Sequence, residues 1–384
     1  MKINIFYYLL SLNFYMSIIL FIIILAILIL AHEFGHFIVA KKSGIRVDEF
    51  GIGFPPKVYG KKFGETEYTV NALPFGGFVK IFGEDPDQNS ISGPEAKRSF
   101  VNQPKLIKIA VLSAGVFFNL LLAWLLISAS MMLGSAFSAS SPLPNGQWVE
   151  TPKLMVVEVA KDSPAEKAGI RTGDTILSSI DTASQEKITA PTPESFQNFI
   201  GTRDAKEISI NLQRGEEKAA VVVTPQQGIV SGKPAIGIAM DMVGTMKLSP
   251  PIAVIEGAKL TYLYTIETFK GIFGLLHDSF YGKADLSQVS GPVGIVKIVG
   301  DASKLGLERL LALTAIISIN LAVVNILPIP ALDGGRVFFV LIEAIKRSPI
   351  KPQTANTINT ISFLLLVALI IIITFNDVWK LLVG

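Results

Sequence analysis

The chain has 384 residues, 50% of them hydrophobic and 17% charged, and a mean hydropathy of +0.51. Soluble domains carry about 25% charged residues, so the composition excludes an ordinary soluble globule and points to membrane spans. The net charge of +3 comes without a dense Lys/Arg block, which argues against nucleic acid, and the absence of cysteine excludes disulfides, thiolate nucleophiles and Cys-ligated zinc.

Four charge-free apolar runs reach the roughly 20 residues that a bilayer requires. The first lies between Lys2 and His32, with its dense core at 18–31. It has no small-residue cleavage site, so it reads as a retained span rather than a signal peptide, with Met16 as an alternative start. This run ends in HEFGH. His32 and His36 are four apart and share one helix face, with Glu33 beside them. Ionisable groups inside an apolar span are costly and mark a functional site. H-E-x-x-H supplies two zinc ligands and a glutamate able to take a proton from water.

A catalytic zinc takes three protein ligands. Without cysteine, and with His277 reading as a surface residue in GLLHDSF, the third must be a carboxylate. Glu49, Glu65 and Glu67 follow the motif in a stretch that does not read as helix. Asp333 is the better candidate, because it closes the third apolar run in NILPIPALDGG. Residues 67–72 and 78–82 are β-prone and flank LPFGG, which predicts a hairpin beside the active end of the first span.

The other apolar runs cover 109–133, 310–332 and 358–375. Lys41, Lys42 and Arg46, then Lys97, Arg98, Lys105 and Lys108, then Arg336, Lys346, Arg347 and Lys351 flank the same ends of these runs. Those ends are expected in the cytoplasm, with residues 134–308 outside. His32 and Asp333 would then meet at one depth. Residues 254–273 are apolar but carry Glu256, Lys259, Glu267 and Lys270, and read as an amphipathic surface helix in a 243–308 linker region.

Residues 150–242 read as a separate α/β domain. A strand precedes SPAEKAG, a helical turn closed by Gly169; a strand follows at 175–180, then a Thr192-capped helix over 193–201 and strands at 207–214 and 218–224. The SPA…AG…GD order resembles a bacterial PDZ domain. By that resemblance PAIGIAM at 234–240 matches the peptide-binding edge, with Ile236, Gly237 and Ile238 as candidate contacts.

HEFGH at 32–36, GVFFN at 115–119 and N-x-x-P-x-x-x-L-D-G at 325–334 together resemble the three signatures of the site-2 proteases, zinc intramembrane proteases. The inserted PDZ-like segment resembles the branch of the bacterial regulator-of-sigma-E protease, whose members often carry two such domains where one is found here. The resemblance implies that Zn2+ is bound by His32, His36 and Asp333, that Glu33 is the general base, and that Asn325 and Asn119 hold substrate or the oxyanion. It also implies a membrane-reentrant β-loop, whose edge could pair with an extended substrate. The expected protein is a polytopic α-helical membrane protein: residues 1–149 and 309–384 form two transmembrane halves around the PDZ-like domain and linker. It would sit in the plasma membrane and cleave transmembrane segments of anti-sigma-factor or remnant-signal-peptide type. Two alternatives stay open: a membrane zincin acting on soluble or prenylated peptides with a glutamate ligand, and a PDZ-bearing scaffold without catalysis.

Overall fold

The computed structural model describes residues 2–139, 146–215, 217–230, 233–282, 290–348 and 350–383. They form two compact units: Met1–Ser128 with Val254–Gly384, and Ala129–Ala253.

In the first unit, helix α1 (Lys2–Lys42) carries HEFGH near its C-terminus. Gly44, at φ +76°, turns the chain out of the helix so that Ile45 N–H reaches the Ala40 carbonyl. Strands β1 (Val47–Phe63) and β2 (Thr66–Ile81) follow. The expected hairpin at LPFGG is corrected. Residues 67–72 and 78–82 do not pair with each other; Phe50 of β1 pairs with Tyr68 on one side and Val79 on the other. The tight turn is instead at Gly64, where Phe63 pairs with Thr66. The first part of β1 is thus a central strand, and its glycines make room for what flanks it: a Cβ on Gly53 would stand 2.5 Å from the Leu73 carbonyl oxygen. Phe37, Ala40, Ile45, Val47, Ile81 and Val111 bury the sheet against α1 and α3. Helix α2 (Gln88–Ser92), capped by Asp87, leads into α3 (Lys105–Leu133).

The second unit runs through β3 (Ser135–Ser138), β4 (Gln147–Trp148), β5 (Lys153–Val159), α4 (Pro164–Lys167), β6 (Thr175–Asp181), β7 (Lys187–Thr189), α5 (Pro193–Gly201), β8 (Ile208–Arg214), β9 (Glu217–Val223), β10 (Gln226–Val230), β11 (Lys233–Ala235) and β12 (Ile238–Lys247). Its main sheet has the order β3-β12-β5-β6-β8-β9, with β4 beside β12 and β7 beside β6. Alternation along β8 buries Ile208, Ile210 and Leu212 in a core with Leu154, Val156, Phe196 and Ile236. Thr192 caps α5, as the sequence predicts, and Ser195 completes a capping box with it. The expected 150–242 boundary is too narrow, because β12 continues to Lys247 and β3 and β4 pair with its extension.

The chain then returns to the first unit with α6 (Pro250–Phe280), α7 (Pro292–Lys304), α8 (Leu307–Ile326), α9 (Asp333–Lys346) and α10 (Pro352–Val383). Helix α6 is no detached surface helix or linker. Trp124 Nε1 donates to the Val254 carbonyl at 2.8 Å, and Thr268 Oγ1 to Asn320 Oδ1 at 3.2 Å, so its small-residue face packs on α3 and α8. Its charges pair along the helix, Lys259 with Glu256 and Lys270 with Glu267. Leu28, Ile24 and Val299 join α1 to α7, with Leu122 and Leu321 packed around them. Helix α10 reaches α7 through Asp377, whose buried carboxylate accepts the Gly294 N–H at 2.8 Å.

The third apolar run is also shorter as a helix than 310–332. Pro328 forces Leu327 into extended backbone (ψ 145°), so α8 stops at Ile326 and Asp333 becomes the first residue of α9. Four helices among the described residues are long and apolar enough to cross a membrane: Phe14–Lys42, Lys105–Leu133, Leu307–Ile326 and Gln353–Trp379. Phe363, Leu364, Leu365 and Ile371 of α10 stand exposed, as expected of a lipid-facing helix.

Candidate metal centre

The helical period puts His32 and His36 on the side of α1 that faces α3, and the NILPIPALDGG turn brings Asp333 to them. His32 Nε2 lies 2.8 Å from Asp333 Oδ2, His36 Nε2 lies 3.3 Å from the same oxygen, and the two Nε2 atoms are 3.2 Å apart. Both histidines are buried and Asp333 is nearly so. Donors held about 2.0–2.1 Å from a tetrahedral zinc stand roughly 3.3 Å from one another, so these three atoms match the spacing such an ion demands.

The imidazoles are held from behind by α3. His36 Nδ1 lies 2.8 Å from the Val111 carbonyl, which can only accept, so Nδ1 carries the proton and Nε2 presents its lone pair. Asn119 Nδ2 is 3.2 Å from His32 Nδ1, the ring nitrogen facing away from Asp333. Between these contacts sits Gly115. A Cβ there would stand 2.5 Å from His36 Nε2 and 2.6 Å from His32 Nε2, so only glycine fits. Gly35 on α1 is packed as closely, its absent Cβ 2.5 Å from the Ala114 carbonyl oxygen.

Glu33 is half-buried on the turn between the histidines, and its Oε2 accepts the Val79 N–H at 3.2 Å. That amide belongs to the outer strand of the sheet, so its backbone donor reaches the site itself. Residues 76–77 rest on α1 one turn before His32: Cβ atoms on Gly76 and Gly77 would stand 3.1 Å from Ile29 and 3.6 Å from Leu30. Arg336, one turn into α9, pairs with Glu84 just beyond β2. A cavity of about 830 Å³ lies along this outer strand, lined by Val79, Lys80, Glu84, Asp85 and Arg336 among others.

The other carboxylates considered as third ligand are engaged elsewhere. Glu49 accepts from Thr69 at 2.7 Å, and Glu67 pairs with Lys57. Glu65 is held below its ordinary value by Lys41 and then Arg98. His277 is exposed beside Asp278, away from the cluster. Asn325 is half-buried on α8 and makes no side-chain hydrogen bond among the described residues. In the second unit, a groove of about 540 Å³ is lined by Phe196, Ile200, Gly237, Ile238 and Met240. Ile236, 2% exposed and part of the core, also lines this groove. Gly115, Val111 and Val79 were not expected at the site. Only Gly115 left a trace in the sequence, in the spacing of GVFFN.

The profile of Peptidase family M50 matches residues 20–369. A Clostridium perfringens protein assigned as a zinc metalloprotease is 36% identical over 364 residues, spanning 94% of this chain and 98% of its own. The zinc metalloprotease RasP of Geobacillus kaustophilus is 29% identical, with 95% and 98% covered. A solved PDZ domain of an SdrC-like protein from Listeria innocua aligns with 23% of this chain and 92% of its own at 21% identity, with a TM-score of 0.20, too low to carry a fold assignment. The family match, spanning most of the chain, and the zinc metalloprotease relatives agree with a donor triad set at the end of an apolar helix: the chain belongs to peptidase family M50, the site-2 proteases, and is a zinc-dependent intramembrane endopeptidase.

Proposed function

We propose that His32, His36 and Asp333 hold the zinc and that Glu33 is the general base. The observation that carries this is the convergence of three donor atoms from chain positions 301 residues apart, with a glutamate on the same turn. Bound there, zinc supplies a Lewis acid for the peptide carbonyl and lowers the pKa of a water. Glu33 takes the proton of the attacking water and delivers it to the leaving amine. Val79 orients the Glu33 carboxylate through its N–H. Asp333 supplies a carboxylate oxygen as the third donor. The rival with a glutamate ligand is disfavoured by the ion pairs and hydrogen bonds that occupy Glu49, Glu65 and Glu67.

The substrate is a membrane-spanning segment, of the anti-sigma-factor or remnant-signal-peptide type. A helix in lipid satisfies its amides internally, so it must unwind before it is cut. The outer strand of the sheet offers the replacement partner: residues 77–81 can pair with an extended substrate beside the zinc. Flanking lysines and arginines put the zinc end on the cytoplasmic side and the inserted unit, read as PDZ-like from its SPA…AG…GD signature, on the outer side. There its groove at Gly237 and Ile238 would hold peptide ends, and the unit would select or delay substrates. The test is peptide mass spectrometry of membranes from cells with wild-type protein or Glu33→Gln. Fragments ending within transmembrane segments should appear only with the wild type. Their presence in both would overturn the assignment.

A further inference from the structure

On α3, Val111, Gly115 and Asn119 are spaced four apart and so share one face. That face meets the two histidines of α1 in order: the Val111 carbonyl behind His36, Gly115 against both rings, and Asn119 behind His32. Asn119 is fully buried, and Ser318 Oγ of α8 donates to its backbone carbonyl at 2.8 Å, which ties the residue to a third helix. Its side chain is not satisfied as it stands. Nδ2 faces His32 Nδ1 at 3.2 Å, while Oδ1 is buried without a hydrogen-bond partner among the described residues.

An Nδ2 donor can meet only a lone pair on His32 Nδ1. The imidazole proton would then sit on Nε2, between His36 and Asp333, where a metal needs a lone pair instead. Exchanging the nitrogen and oxygen of the amide, which have the same shape, removes both conflicts. Oδ1 then accepts the Nδ1 proton, the orphaned oxygen gains a partner, and His32 matches His36, whose Nδ1 already faces a carbonyl oxygen of α3. We propose that Asn119 is a positioning residue: its side-chain carbonyl accepts the His32 Nδ1 proton, fixing the tautomer and the ring plane that present Nε2 to the metal. This inference rests on the assignment of His32 as a ligand, and it moves Asn119 from substrate or oxyanion binding to holding a ligand in place.

The experiment measures zinc affinity of the purified full-length chain by competition with a chromophoric chelator, for Asn119→Leu, Asn119→Asp and His32→Ala. Losing an outer partner of a metal-bound histidine costs about 10–100-fold in affinity. Asn119→Leu, close in size but without an acceptor, should lose that much. Asn119→Asp accepts with either oxygen and should restore affinity to within a few-fold of wild type, with an unchanged cobalt ligand-field spectrum. An Asp variant as weak as the Leu variant would overturn the inference, because a carboxylate cannot donate. So would a Leu variant with wild-type affinity. If the Leu variant does not fold, the Asp variant decides alone between wild-type affinity and the loss seen in His32→Ala. Full zinc in His32→Ala would instead refute the ligand assignment, and the inference with it.

Discussion

Gly115→Ala adds one methyl group to a transmembrane helix that otherwise favours alanine over glycine, and it is expected to disable the enzyme. The new Cβ would lie 2.5 Å from His36 Nε2 and 2.6 Å from His32 Nε2. Ordinary contact begins near 3.4 Å, so each ring must retreat by roughly 0.9 Å. The helices cannot separate to absorb this without losing the packing at Gly35, whose own Cβ position is 2.5 Å from the Ala114 carbonyl. The rings therefore move off their donor positions. Zinc affinity should fall by about 10–100-fold, as when the supports of a ligand are lost, and cleavage by about 100-fold or more, the usual cost of a 1 Å misplacement. The assay is zinc competition and cleavage of a membrane-embedded substrate, with Gly271→Ala as control. Gly271, on α6, has no atom within 4 Å of its Cβ position, so the same chemical change should leave both readouts unchanged. Gly115→Ala with wild-type zinc affinity would refute the packing argument.

Val79→Pro removes the N–H that Glu33 accepts, at an edge position where proline is tolerated. Zinc should stay bound while cleavage is lost; wild-type cleavage would mean that this amide positions nothing. Arg336→Gln or Glu84→Gln breaks the pair that ties α9 to the segment beyond β2, and should lower cleavage with zinc retained. The swap of Arg336→Glu with Glu84→Arg should recover part of the loss, and a swap no better than either single change would discard the tie. Excising residues 135–248 removes every strand of the second unit, including β3 and β4, which a 150–242 deletion would leave without β12. The trimmed enzyme should keep zinc and cut both untrimmed and pre-trimmed forms of one substrate, whereas unchanged discrimination would show that the unit is not the filter.

The convergence of His32, His36 and Asp333 was legible because it rests on local rules. Two histidines four apart share a helix face in any context, and the Asp333 motif stands out as a charge at the end of an apolar run. The capped helix at Pro193–Gly201 and the alternating β8 follow from equally local signals. What the sequence hid was nonlocal. Phe50 has partners near positions 68 and 79, and nothing in LPFGG reveals that the two flanking strands are separated by a third. The packing of α6 was masked by four charges that satisfy one another along the helix, while contacts to its neighbours are made by Gly257 against Ser128 and Thr268 with Asn320, which carry little hydrophobic signal. Gly115 left only its place in GVFFN, because its role is the absence of a side chain. The end of α8 was legible in principle from Pro328, but the apolar run through Leu332 outweighed it.

Metal analysis of purified Asp333→Ala tests the central claim most directly, because Asp333 closes a triad whose other two members sit 301 and 297 positions earlier. The wild type should hold one zinc per chain and Glu33→Gln should match it without cleaving. Asp333→Ala, left with two imidazoles, should lose most of its zinc. A full complement of zinc in Asp333→Ala would contradict the account.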